Sequence, residues 1–302
     1  MRNRYYLLLA IACTLWGIQP VAIKLIVAEM DPVIMIPIRY VLLAIIFFII
    51  MKAKGETRFL PLKSCVWILF FMGFWGITIS NGTQFLGLKY SSATNATLIG
   101  STAPAITAFL ATIFTKERLN PLQWLGIIIS FTGALFLISN ASLDMILNIS
   151  FNFGDILFLI GEIGWCVYCL ISVPVMKKMS VIAVTAWAGL FGAVQTAIYG
   201  QFTTGLFVPE LSTIAMISFA FVVLGGGVTA MICWNIGVKH VGASTSSIFL
   251  NLLPVVGIIT ASITINEPIT TIKIGCAITI LLGVYITTHS TYLFNKLHKL
   301  LS

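Results

Sequence analysis

The chain has 302 residues, 59% of them hydrophobic and 9% charged, with a mean hydropathy of +1.05. That balance leaves too little polar surface for a water-soluble protein of this length, so soluble enzyme and binding-domain classes fall away. The net charge is +8, from 17 basic and 9 acidic residues, and a basic chain this apolar points to a membrane and not to nucleic acid.

Apolar runs recur along the whole length. They cover about residues 5–27, 33–51, 65–87, 91–115, 121–139, 153–172, 181–200, 212–236, 242–265 and 269–290. Crossing a bilayer takes roughly 20 helical residues, and backbone amides in lipid must be satisfied within their own segment. Ten transmembrane helices are expected. The first run follows Arg2 and Arg4, lacks a small-residue cleavage site and carries Trp16, Gln19 and Lys24 at its far end, so it reads as a retained helix and not a signal peptide. The second holds Arg39, which, like Lys24 and Lys273, is expected to snorkel to the headgroups; a funnel for an anionic solute is the alternative.

The third run offers Thr78, Asn81 and Gln84 at three-residue steps, and the eighth answers with Val228, Met231 and Trp234. The fourth carries Thr94, Thr97 and Ser101 on one face, and the ninth carries Ser244, Ser247 and Asn251 in the equivalent places. Pro104 and Pro254 follow these stripes, remove the amide bonds to Gly100 and Leu250, and should kink both helices. The sixth run has Glu162 near its centre, on one face with Trp165, Cys166 and Cys169. The six cysteines all fall in or beside apolar spans and read as small buried hydrophobes, with no disulfide framework and no metal-ligand spacing.

Charge orders the spans. With the N-terminus inside, thirteen of the seventeen basic residues lie in cytoplasmic segments, among them Lys52, Lys54, Arg58, Lys63, Lys116, Arg118, Lys177, Lys178 and Lys239. Glu29, Asp31, Asp144, Asp155, Glu210 and Glu267 fall outside. The pattern is positive-inside, with both termini cytoplasmic.

The second half repeats the first, 150 residues on. Gly87-Leu88-Lys89-Tyr90, Ala93, Pro104, Glu117 and Gly133 align without a gap on Gly237-Val238-Lys239-His240, Ala243, Pro254, Glu267 and Gly283. Nine identities across residues 87–133 would mean little between two apolar stretches; that they include proline, lysine, glutamate and glycine gives them weight. Each unit has five helices, an odd number, so the second enters the membrane from the opposite side. The expected fold is an all-α integral membrane protein of ten transmembrane helices in two inverted five-helix repeats, residues 1–145 and 146–302. Glu117 and Glu267 sit between helices beside Pro121 and Pro268, where capping the following helix is their expected task.

Gly87 through Lys89-Tyr90-Ser91-Ser92-Ala93, Pro104, Lys116-Glu117-Arg118-Leu119, Gly126 and Gly133 resembles the EamA repeat of the drug/metabolite transporter superfamily. So does Trp234-Asn235-Ile236-Gly237-Val238-Lys239 with Gly242-Ala243-Ser244, Asn251-Leu252-Leu253-Pro254, Glu267, Gly275 and Gly283; Trp16-Gly17, Lys24 and Trp165 fit the opening helix of each repeat. The resemblance covers about residues 7–139 and 154–288. It implies a ten-helix inverted-repeat carrier of small metabolites, often an exporter of amino acids or related compounds, and leaves the substrate open. Pro174 and the acidic Glu162 are departures whose roles the resemblance does not supply.

A charge at mid-depth costs a few kcal/mol or more, so Glu162 needs a reason to be there. It faces a central cavity and binds an amine or takes up a coupling proton, or else it is the structural partner of a polar group on a neighbouring helix. The candidate substrate contacts are Trp16, Gln19, Asn81, Gln84, Thr97, Ser101, Glu162, Trp165, Trp234 and Asn251; aromatic rings with amides suit a solute having an apolar part and a polar head. For the serines and threonines close helix packing is the competing reading. Trp67, Trp75, Trp124 and Trp187 are assigned to interfacial belts or packing. The expectation is a secondary carrier and no enzyme, in the inner membrane of a bacterial cell. Its partners are a small-molecule substrate, the lipid bilayer and, as a coupling candidate, protons, with no cofactor and either a monomer or a homodimer. An exchanger of phosphorylated solutes or nucleotide sugars would need several cations in the cavity. An intramembrane enzyme using Glu162 would need a second catalytic group at similar depth.

Overall fold

A computed structural model describes residues 3–57, 59–87, 90–91, 99–114, 119–139, 142, 152–203, 205, 207–265 and 269–301. Among them nine helices are long and apolar enough to cross a bilayer, and a shorter apolar helix covers Ala103–Phe114. In chain order they are α1 (Asn3–Val27), α2 (Pro32–Ala53), α3 (Val66–Gly73, Phe74–Ile79 and Ser80–Gly87), α4 (Ala103–Phe114) and α5 (Pro121–Ile138). Then come α6 (Phe153–Met176), α7 (Val181–Thr203), α8 (Thr213–Phe221, Val222–Thr229 and Ala230–Val241), α9 (Ala243–Ser247, Ile248–Asn251 and Leu252–Ile265) and α10 (Thr271–Leu301). Of the run expected over 91–115, residues 92–98 and 115 lie outside the described residues. Thr94 and Thr97 are therefore outside as well, as are Lys89, Glu117 and Glu267.

Local chemistry sets the helix starts. Asp31 caps α2, accepting from the Val33 amide at 2.8 Å ahead of Pro32 at the first position. Asn120 with Gln123 and Asn152 with Asp155 form reciprocal capping boxes at α5 and α6. The hinge between α8 and α9 is the single residue Gly242, whose φ of +89° is readily adopted only without a side chain.

Polar ties mark both ends of the bundle. At the end carrying Glu29, Asp31 and Asp155, the Glu29 carboxylate accepts the Ser212 amide and hydroxyl, both at 2.7 Å, at the start of α8. At that same acidic end Ser91, just past α3, donates to Asp155. At the opposite, basic end, which carries Lys52, Lys54, Lys177 and Lys178, Ser180 donates to Glu56 at 2.7 Å and the Trp187 indole to the Phe59 carbonyl at 2.7 Å.

Between the ends the helices pair closely: α2 with α7, α5 with α10, α3 with α6 and α7, α4 with α6, and α1 with α8 and α9. Glycines permit it. A Cβ built on Gly126 would stand 2.6 Å from the Gly283 carbonyl, and one on Gly283 2.5 Å from the Gly126 carbonyl, so α5 and α10 touch backbone to backbone. Exposed apolar side chains such as Leu7, Trp67, Phe109, Ile217 and Ile263 form the lipid-facing surface.

Both α3 and α8 widen to π winding, over Phe74–Ile79 and Val222–Thr229, and the two stretches end at the 150-residue offset that aligns Gly87 with Gly237. A π stretch leaves carbonyls short of their usual partners, and side chains supply them. Asn81 donates to the Gly76 and Ile77 carbonyls at 3.4 and 3.1 Å, Thr229 to Leu224 at 3.0 Å, and the Trp16 indole to Gly226 at 2.8 Å.

Candidate functional site

Glu162 is the tenth residue of α6, about 14 Å along the helix from its acidic end at 1.5 Å per residue. Its side chain is half-buried and turned into the bundle. Gln84 of α3 donates to its Oε1 at 3.4 Å, and a Cβ built on Gly100 would lie 3.5 Å from the same oxygen. A Cβ at Gly82 would meet nothing within 4 Å. Among the described residues no cation pairs with Glu162. Among the described residues Gln84 is thus the one hydrogen-bond donor to this carboxylate.

Beside it three tryptophans from three helices converge. The Trp16 and Trp165 centroids are 5.5 Å apart and edge-on, Trp16 and Trp234 are 5.2 Å apart, and Trp165 and Trp234 are 6.0 Å apart. Trp165 also stacks on Tyr168 at 5.3 Å. Trp234 is fully buried and holds the cluster from behind, whereas Trp16 and Trp165 keep partial access. Gln19 is nearly buried against Gly226, where a Cβ would fall 2.1 Å from its Oε1.

The remaining candidates go elsewhere. Asn81 turns back onto its own π stretch. Thr78, expected beside it, faces α7 and donates to Gln195 at 2.9 Å. Asn251 is fully buried and donates to Ser130 of α5 at 2.9 Å, a tie between helices. Ser101 is buried in the turn ahead of α4. Pro104 falls just after that turn, at the second residue of α4, and Pro254 just after the 3₁₀ turn Ile248–Asn251. Winding therefore changes immediately before both prolines. Arg39 corrects an expectation: it does not snorkel but is 93% buried.

One further feature was not legible in the sequence. Glu162, Cys166 and Leu170 lie a turn apart on one face of α6. Thr107 of α4 donates to the Cys166 sulfur at 3.1 Å, and the thiol lies 3.7 Å from the Ala103 carbonyl. Beyond this plug, toward the basic end, opens a cleft of about 290 Å³ lined by Phe114, Leu170, Val173, Pro174, Lys177, Gly242 and Ala243. A cysteine at a four-residue step from a buried acid was the available signal, and it reads equally well as ordinary packing.

The model of the EamA-like transporter family matches the chain twice, over residues 3–139 and 152–289. Among relatives, the uncharacterized transporter YyaM of Bacillus subtilis is 31% identical over 247 residues, spanning 80% of this chain and 79% of that protein. An uncharacterized transporter of Archaeoglobus fulgidus is 27% identical, spanning 95% of this chain and 98% of its own length. A crystal structure at 17% identity superposes with a TM-score of 0.80 over 98% of this chain and 99% of its own, which speaks for the fold alone. This all-helical, multi-pass chain therefore belongs to the EamA-like transporter family.

Proposed function

We propose that the protein is a secondary carrier exporting a small polar or amphipathic metabolite, amino acids or their relatives first, by alternating access. In this reading two inverted five-helix repeats, residues 1–145 and 146–302, enclose the path between α1, α3, α4, α6, α8 and α9. The basic end and both termini face the cytoplasm of a cell whose inner membrane holds the protein. The observation that carries the reading is Glu162: a carboxylate at mid-span, unpaired by any cation among the described residues, one turn along α6 from Trp165, which packs edge-on against Trp16. Such an acid is either satisfied by a substrate cation or neutralised by a proton. The rings beside it suit an apolar side chain or the face of an ammonium group.

The contact of Thr107 with Cys166 supports a closed basic side in this state, since it lies between Glu162 and the cleft lined by Leu170 and Lys177. An exchanger of phosphorylated solutes is less well supported, because doubly charged phosphates call for several cations.

Reconstitution in liposomes tests the proposal. The wild type is expected to move amino acids faster with a proton gradient than without, and Glu162→Gln to lose the gradient-driven part. Flux by Glu162→Gln that equals wild type at every pH and gradient would remove Glu162 from both binding and coupling.

A further inference from the structure

On α6, Glu162, Cys166 and Leu170 follow one another toward the basic end in one-turn steps of about 6 Å. On α4, Ala103, Thr107 and Ala111 do the same, and Phe114 ends the helix. The two stripes meet where Thr107 donates to the Cys166 sulfur at 3.1 Å and the thiol approaches the Ala103 carbonyl at 3.7 Å. Cys166, Ala103 and Ala111 are fully buried, and Thr107 nearly so. The first turn of α9, Ala243–Ser247, packs on both helices. These side chains are all small, so no large residue has to be withdrawn for α4 and α6 to part. The cleft of about 290 Å³ at the basic end takes its walls from the same three helices, through Phe114, Leu170, Pro174 and Ala243.

Thr107 departs from the habit of other threonines in this protein. Thr14, Thr83, Thr132, Thr185 and Thr196 each donate to the carbonyl four residues back in their own helix. For Thr107 that carbonyl is Ala103, which the Cys166 thiol approaches instead. The thiol has an equivalent acceptor of its own, the Glu162 carbonyl four residues back on α6. Both donors therefore hold partners across the seam while an acceptor stands ready in their own helix. Parting the seam exchanges two hydrogen bonds for two others and strands no polar group. In an interior surrounded by lipid, that is what allows a buried polar contact to break and re-form at small cost.

We propose that the seam of Thr107 and Cys166 is the inner gate of the carrier, and that its parting joins the level of Glu162 to the cleft and exposes the Cys166 thiol to the basic end. The proposal rests on the carrier reading above and assigns closure of the basic side to one contact between α4 and α6. From Glu162 to Leu170, which lines the cleft, is two turns of α6, about 12 Å, with Cys166 midway. Cys166 is in this account a gating residue and not a solute contact.

Thiol labelling of the wild type tests this without any solute. The protein in sealed membrane vesicles of both orientations is treated with the membrane-impermeant reagent sulfonatoethyl methanethiosulfonate and read by peptide mass spectrometry. Cys13 of α1 is the internal reference: it is also fully buried and lies ten residues from the basic end of its helix, as Cys166 does. Cys166 is expected to react about tenfold faster than Cys13 or more, and from the face bearing Lys177. A Cys166 no faster than Cys13, or reached sooner from the acidic face, overturns the gate. Thr107→Cys then places a second thiol within bridging reach of Cys166. Copper phenanthroline in air, which takes two electrons and two protons from the thiol pair, should cut liposome flux of a mixture of the common amino acids about tenfold or more, and dithiothreitol should restore it. Thr107→Cys combined with Cys166→Ala should not respond to the oxidant. Flux that persists through a bridge confirmed by mass spectrometry overturns the gate and leaves the carrier reading standing. Labelling as expected in a wild type that moves no amino acid does the reverse.

Discussion

Side-chain amides in this protein do two different things, and burial alone does not separate them. Asn235 of α8 is fully buried and donates to the Tyr168 hydroxyl at 3.0 Å and to Thr185 at 2.8 Å, joining three helices. Gln84 makes one long bond, to the half-buried Glu162 carboxylate. The first arrangement holds the fold; the second is a contact that a solute could replace. Asn235→Leu is expected to cost about 1–2 kcal/mol in equilibrium unfolding, since the Tyr168 hydroxyl loses its partner in a dry interior. Gln84→Leu should leave unfolding within about 0.5 kcal/mol of wild type. Equal losses for the two variants would contradict the distinction. The sequence offered Asn81, Gln84 and Asn251 as equivalent candidates. It could not show that Asn81 mends the winding of its own helix or that Asn251 is turned to Ser130, because both outcomes depend on the rotation of a helix about its axis.

At the scale of helices, contact is governed by where side chains are missing. On α5, Gly126 faces α10 so closely that a Cβ would stand 2.2 Å from the Thr287 hydroxyl and 2.6 Å from the Gly283 carbonyl. A Cβ at Gly82 on α3 meets nothing within 4 Å. Gly126→Ala must therefore push two backbones apart and should destabilise by about 1–3 kcal/mol. Gly82→Ala should be neutral or stabilising by up to about 1 kcal/mol, through the helix-interior preference for alanine. Unfolding curves for the two variants check this, and a Gly126→Ala protein as stable as wild type would sink the close-packing account. Both glycines look alike as letters in an apolar run. The matched π stretches at Phe74–Ile79 and Val222–Thr229 were equally hidden, since hydropathy at period 3.6 carries no signal for one extra residue in a turn.

Across the whole molecule, polar ties join segments far apart in sequence. Two hydrogen bonds from Ser212 hold the Glu29 carboxyl below its ordinary value, backbone contact first and hydroxyl second, at an exposed position. A carboxyl with a depressed folded value contributes stability that is complete above its unfolded pKa and fades as pH falls through the folded one. Protection of the amides at Ser212–Met216 from hydrogen exchange, corrected for intrinsic rate, should therefore drop on the acid side of the usual carboxylate range. Glu29→Gln should flatten that dependence. An unchanged acid profile in Glu29→Gln would remove Glu29 as the group responsible.

The sequence by itself determined that this is a helical membrane protein with a duplicated motif and a charge bias between its two ends. Those properties follow from composition and spacing: the bilayer tests each segment for apolarity over about 20 residues, whatever its neighbours are. Tertiary structure alone decided which polar groups meet. Trp16, Trp165 and Trp234 come from helices far apart in the chain and converge, Arg39 sinks into the bundle instead of reaching the headgroups, and Cys166 stands against Thr107. Each outcome is set by helix rotation and by glycine-permitted approach, which in lipid are governed by packing and not by any apolar driving force between helices.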